Sequence, residues 1–203
     1  KRKEIFGYLI SFLTFTSPLF NWRVFILPTT LLIHSNQKEV LAETAEFYFN
    51  RGVKKNEIGD YSNAIVDFNK SIQINPFIGT VYFHRGVANF ENGDFTSALS
   101  DFDKSIELYP EDSYAYYNRG LIKLNHINDF QGAILDFNQS IKINSFYPWA
   151  YFSRGTAWFE LKNFQNAISD LSKAIEINEK TKSINSEEKL DEAVTYFNRG
   201  IAK

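Results

Sequence analysis

A chain of 203 residues accommodates one or two compact domains or one repeat array, and its net charge of −2 and pI of about 6.0 supply no basic surface for nucleic acid. It has no Cys, which excludes disulfides, thiolate metal sites, redox pairs and a lipid-modified cysteine anchor. The 20 Phe, 11 Tyr and 3 Trp are enough for a large core or an adhesive groove.

Residues 1–42 differ in kind from the rest of the chain. Lys1, Arg2 and Lys3 precede the apolar run IFGYLISFLTFTSPLFNW; Arg23 interrupts it, VFILPTTLLI resumes it, and the polar HSNQKE leads to VLA. A positive start, an apolar middle and small residues at Val40 and Ala42 match a secretory signal. Residues 5–22 are also long enough to span a bilayer as an uncleaved anchor. Both readings stand, and either makes the chain exported or membrane-anchored, with membrane contact through residues 5–33. A buried helix is disfavoured because Pro18 and Pro28 would break it. This segment holds five Lys/Arg and two Glu, which leaves the body mildly acidic with 17 basic and 22 acidic side chains.

From Ala45 to Glu57 apolar and aromatic residues fall on helical spacing. Gly59-Asp60 predicts a tight turn, Asp60 or Ser62 an N-cap, and a second helix should run to about Ile74 and stop before Pro76. The same order then repeats. YFNRG at 48–52 returns as YFHRG, YYNRG, YFSRG and YFNRG, with arginines 51, 85, 119, 154 and 199 separated by 34, 34, 35 and 45 residues. Downstream of each Arg-Gly come GDY, GDF, NDF and KNF, then Ala64, Ala98, Ala133 and Ala167. After these stand Asp67, Asp101, Asp136 and Asp170, each followed by an aromatic or Leu (Phe68, Phe102, Phe137, Leu171). A small residue comes next (Ser71, Ser105, Ser140, Ala174), and Ile or Leu closes the unit. A period of this length is that of stacked units, each too small to bury its own apolar face. The small columns lie where two antiparallel helices would touch, with Gly52 facing Ala64 and Phe68.

On these columns the sequence resembles the tetratricopeptide repeat family: an aromatic four residues before Gly, then Gly, Ala, an aromatic, a small residue and Pro, at that family's period. The resemblance implies an all-α fold, an α-solenoid of stacked antiparallel hairpins forming a right-handed superhelix whose first helices line a concave groove. It divides the body, 43–178, into four units at about 45–78, 79–112, 113–147 and 148–181. A charged linker is expected at 179–192 and the first helix of a fifth, truncated unit at 193–203. The departures are one inserted residue near His126–Asn128, no Pro after the third and fourth units, and Arg where the family has an apolar residue before Gly.

Each complete unit that carries the Arg also carries the Asp. In a hairpin turning near Gly59-Asp60 the two stand at similar height, so Arg51/Asp67, Arg85/Asp101, Arg119/Asp136 and Arg154/Asp170 are expected to form structural clasps, within a unit or onto its neighbour. A second stripe lies beside the motif: Phe49 and Val53; Phe83, Val87 and Phe90; Tyr117, Leu121 and Leu124; Phe152, Thr156 and Phe159; Phe197 and Ile201; with Tyr114 and Trp149 one turn earlier. By the family's geometry it faces the groove and suits an extended peptide or amphipathic helix, though about half of such a stripe is expected to be core. Asn50, His84, Asn118 and Asn198 are expected at its rim. The Lys and Asn of family members that clamp a terminal carboxylate are replaced by apolar residues, so that mode is not expected.

No enzyme chemistry is expected. His34, His84 and His126 have no ligand or catalytic partner at useful spacing, no phosphate loop is present, and no cofactor or metal is implied. Asn69-Lys-Ser71 and Asn138-Gln-Ser140 match the glycosylation acceptor but fall mid-helix. In the linker, Ser186 is expected to cap the next helix, with Glu187 and Glu188 in its first turn. YFNRGIA at the end repeats the interior pattern, so truncation is expected, or else a dimer that covers the exposed terminal helix. The chain reads as a scaffold binding a protein or peptide partner, with a recruiting module of a larger enzyme or assembly complex as the alternative.

Overall fold

The computed structural model describes residues 44–182. Among them the order is α1 (Ala45–Glu57), α2 (Tyr61–Ile74), α3 (Gly79–Glu91), α4 (Phe95–Leu108), α5 (Ser113–Ile122), a π-turn (Lys123–Ile127), α6 (Phe130–Ile143), α7 (Pro148–Glu160) and α8 (Phe164–Lys182), with no strand in that span. The chain is therefore an all-α solenoid of helix pairs.

Local chemistry sets the helix ends. Thr44 Oγ1 accepts from Phe47 N at 3.1 Å, Asp94 from Ser97 N at 3.0 Å and Asp129 from Gly132 N at 2.9 Å, each satisfying an orphan amide of a first turn. Asp60 occupies the N-cap of α2, but its carboxylate takes the Asn63 side-chain amide instead, at 2.9 and 3.0 Å. Ser62 lies inside the helix. The hairpin turns are made by one left-handed residue each: Gly59 (φ 79°), Gly93 (φ 81°), Asn128 (φ 58°) and Lys162 (φ 59°). These head the GDY, GDF, NDF and KNF columns. The extra residue of the third unit is absorbed as the π-turn, with Asp129 N donating to Lys123 O at 2.9 Å.

Packing follows the small columns. A Cβ on Gly52 would lie 2.7 Å from Phe68 Cε1, and one on Gly120 would lie 2.7 Å from Phe137 Cε1, so the missing side chain admits the partner ring. The second helices α2, α4 and α6 also pack on the first helix of the next pair. The buried clusters are accordingly shared. Ala64 and Phe68 of α2 meet Val81 and Ala88 of α3; Ala98 and Phe102 of α4 meet Ile122 of α5; Ala133, Ile134 and Phe137 of α6 meet Ala157 of α7. Each enclosed Phe contributes about 1.5–3 kcal/mol of burial, and none is enclosed by one pair alone.

One boundary moves. The charged linker expected from residue 179 begins later, because α8 continues through Lys182, a 19-residue helix. Lys180 Nζ donates to Glu176 Oε1 at 2.6 Å and supports this last stretch. No described helix is long and apolar enough to cross a membrane. The expected signal or anchor, the remainder of the linker and the fifth-unit helix with Arg199 and Asn198 lie outside the described residues.

Candidate functional site

The recurring Tyr-x-x-Arg-Gly places three jobs on one flank of each first helix. Three residues before each Arg, a tyrosine carries the guanidinium over its ring, at 5.2 Å for Tyr48 and 5.5 Å for Tyr82, Tyr116 and Tyr151. The Arg then spans to its own second helix as a fork. Arg51 Nε and Nη2 donate to Asp67 at 2.7 and 2.5 Å, and Arg154 Nε and Nη2 to Asp170 at 2.7 and 2.6 Å. Arg85 donates to Asp101 at 3.0 and 2.5 Å, and Arg119 to Asp136 at 3.0 and 2.5 Å.

The remaining nitrogen reaches the preceding pair. Arg85 Nη1 donates to Asn69, Arg119 Nη1 to Asp103 and Arg154 Nη1 to Asn138, each at 2.6 Å. This column, two residues after the Asp, was not singled out from sequence; its signal was the register Asn69, Asp103, Asn138. Two of the three are the asparagines of the glycosylation-like triplets. One turn after the Arg comes a further donor. Lys55 and Lys123 lie 2.8 Å from Asp67 and Asp136, and Asn89 Nδ2 donates to Asp101 at 2.9 Å.

These contacts set the charge states. The Arg51 hydrogen bond, working against burial and helped by Lys55, holds the Asp67 carboxyl below its ordinary value. Burial works against the Arg119 charge, but the bonds and fields of Asp136 and Asp103 outweigh it and raise that guanidinium above its ordinary value. Two open clefts, about 440 and 360 Å³, flank Arg85 on this side, with Asp101 and Ser100 common to both. The Arg85 and Asp101 charges that line them are already spent on each other.

The opposite flank is where the sequence put a groove, and part of that stripe turns to the seam between helices. Phe49 packs on Phe68, Phe83 on Phe102, Tyr117 on Phe137, Phe90 on Phe95 and Phe159 on Phe164, with ring centroids 5.6–6.2 Å apart. Leu124 is buried. These side chains line the seam to their own second helices. Phe152 stands against Trp149 at 6.1 Å. The face left open carries Glu46, Asn50, Val53 and Glu57 on α1; Thr80, His84, Val87 and Glu91 on α3; Tyr114, Asn118, Leu121 and Asn125 on α5 and the π-turn; Trp149, Ser153, Thr156 and Glu160 on α7, so Val87, Tyr114, Leu121, Trp149 and Thr156 of the expected groove lie on it. Tyr114 is exposed; Val87, Leu121, Trp149 and Thr156 are half-buried; Ser153 is buried.

Of the expected rim, Asn50 is exposed and Asn118 donates to Tyr114 O at 2.8 Å. His84 is half-buried between Phe49, Phe68 and Phe83, at 5.3, 6.1 and 5.4 Å. Burial lowers its pKa, against the fields of Asp112 and Glu57. At the third seam Tyr147 contacts Tyr114 and Tyr117 at 5.2 and 5.0 Å. Burial pushes the Tyr117 and Tyr147 phenols up. His126, carried by the π-turn, stacks on Phe95 at 3.6 Å.

Comparison with known proteins agrees with this geometry. The crystal structure of MamA is 26% identical, over 72% of this chain and 86% of that one, with a TM-score of 0.67. YrrB, described as a TPR protein with an unusual peptide-binding site, is 21% identical over 76% and 79%, with a TM-score of 0.61. The TPR domain of Arabidopsis OM64 is 19% identical over 56% and 93%, with a TM-score of 0.54. Among curated proteins none matches the sequence. Family models of the tetratricopeptide repeat match residues 45–77, 83–148 and 148–180, and on these matches, the helix-pair architecture and the recurring columns, the chain belongs to the tetratricopeptide repeat family.

Proposed function

We propose that the chain is a protein-interaction scaffold whose open first-helix face binds a segment of a partner protein, with no covalent chemistry of its own. The carrying observation is the row Val87, Leu121 and Tyr114, continued by Trp149. These apolar side chains stay half-buried, or exposed in the case of Tyr114, on successive first helices, with Val87 and Leu121 also touching the buried clusters beneath them. An extended peptide or an amphipathic helix laid across that row would cover it. The clasp flank offers no comparable surface, because its polar groups already bind one another. For residues 1–42, the positive start and long apolar run support export or membrane anchoring of this scaffold.

The test is a photo-crosslinking residue placed at Tyr114 in the full chain, with Val66, 49% exposed on a second helix, as the comparison position. Adducts to one defined partner segment from position 114 and not from 66 support the reading. Adducts from 66 alone would overturn it.

A further inference from the structure

Charge is sorted across the first helices. Their cations Arg51, Lys55, Arg85, Arg119, Lys123 and Arg154 all lie on the clasp flank, bound to aspartates. Lys54 occupies the column where Ala88, Ile122 and Ala157 are buried against the preceding pair, so it too points away from the open face. The anions go the other way. Glu57, Glu91 and Glu160 are exposed, share one column, and close α1, α3 and α7 at the rim of the open face.

Their position is unfavourable for the helices themselves. A carboxylate in the last turn meets the negative end of the macrodipole. Neither α3 nor α7 has a basic residue in that turn to relieve it. No ion pair among the described residues involves these three glutamates. The fields of Glu57 and Asp112 both reach His84, but Asp112 is already engaged as the N-cap of α5, accepting from Tyr114 N at 2.9 Å. Fold stability does not account for an acid repeated at this register, whereas a cationic occupant does.

Building on the open-face reading, we infer that the partner segment is basic: an apolar polypeptide stretch lies on Val87, Leu121 and Tyr114 while its Lys or Arg side chains meet Glu57, Glu91 and Glu160. Glu57 and Glu91 stand on successive first helices and Asn125 takes the same place before Glu160, so the occupant's cations meet the first, second and fourth pairs.

The probe is a set of three labelled twelve-residue peptides, identical in their apolar positions and carrying Lys, Gln or Glu at every polar one. They are titrated against the full chain by fluorescence anisotropy at low and high salt. The Lys peptide is expected to bind about tenfold or more tighter than the Gln peptide, the Glu peptide weakest, with the Lys advantage shrinking as salt rises. In the variant Glu57→Gln/Glu91→Gln/Glu160→Gln, checked by circular dichroism, that advantage should vanish. In Glu107→Gln/Glu179→Gln, which removes acids on second helices, it should persist. Equal binding of Lys and Gln peptides, or an unchanged Lys advantage in the triple variant, overturns the charge inference and leaves the open face standing. Binding of none of the three overturns both.

Discussion

Arg51 and Arg85 head the same motif, yet Arg51 leaves 43% of its side chain exposed and Arg85 only 23%. Their aspartates are equally sheltered, Asp67 at 1% and Asp101 at 5%. The difference is the neighbour. Arg85 is covered and bonded by Asn69 of the preceding pair, whereas Arg51 stands in the first described pair and shares its carboxylate with Lys55. A guanidinium neutralised within its own hairpin is thus only half placed. The adjoining pair decides how far it leaves water, and therefore how much its loss would cost.

The largest break in that comparison is expected from Asp101→Ala, which strands Arg85 and Asn89 at a sheltered seam and should cost about 3–5 kcal/mol in urea denaturation. Asp67→Ala should cost only about 1 kcal/mol, because Arg51 and Lys55 can rehydrate. Equal losses would mean that the neighbour does not matter. Packing can be separated from charge at the next residue of the motif. Gly120→Ala drives a Cβ into the Phe137 ring and should lose about 1–3 kcal/mol. Gly155→Ala meets Leu171 at a looser 3.2 Å and should be near neutral, since Ala favours a helix by about 1 kcal/mol.

Asn69→Ala should turn Arg85 into an Arg51-like side chain. About 1 kcal/mol is expected to be lost, with faster amide exchange confined to the α2/α3 seam. The smallest expected effect is a pH slope. A carboxyl held below its ordinary value, as Asp67 is, stabilises fully above that value and loses the contribution as pH falls through its folded pKa. The stability gap between wild type and Asp67→Asn should therefore close below roughly pH 4. A gap that widens on acidification would reverse the assigned sign.

Much of this was legible in the sequence because the repeat makes each residue its own control. The helix pairs, the Gly–Phe contacts and the Arg–Asp pairing within a unit all recur in register. What lay between units was harder to read. The acceptor for the third guanidinium nitrogen alternates Asn69, Asp103, Asn138, so no single residue type marks it. Helical spacing says which residues share a side, not which neighbour claims them, so the expected groove mixed open-face residues such as Tyr114 and Leu121 with seam residues such as Phe83 and the buried Leu124. Phe83 and Val87 look alike on that criterion, and both are half-buried against the cluster of Ala98, Phe102 and Ile122. The insertion near His126 was visible as an extra residue, but a π-turn that stacks its imidazole on Phe95 depends on a contact thirty-one positions away.

The clasp has a consequence for how such a chain can grow. Arg85, Arg119 and Arg154 each address one residue in their own hairpin and one at a fixed offset in the hairpin before it. A tandem in-frame copy of a whole unit therefore arrives with both addresses already filled, on its own side and for its successor. Lengthening the array by gene duplication needs no compensating substitution, and the same rule lets a unit be excised without orphaning a charge at the new joint.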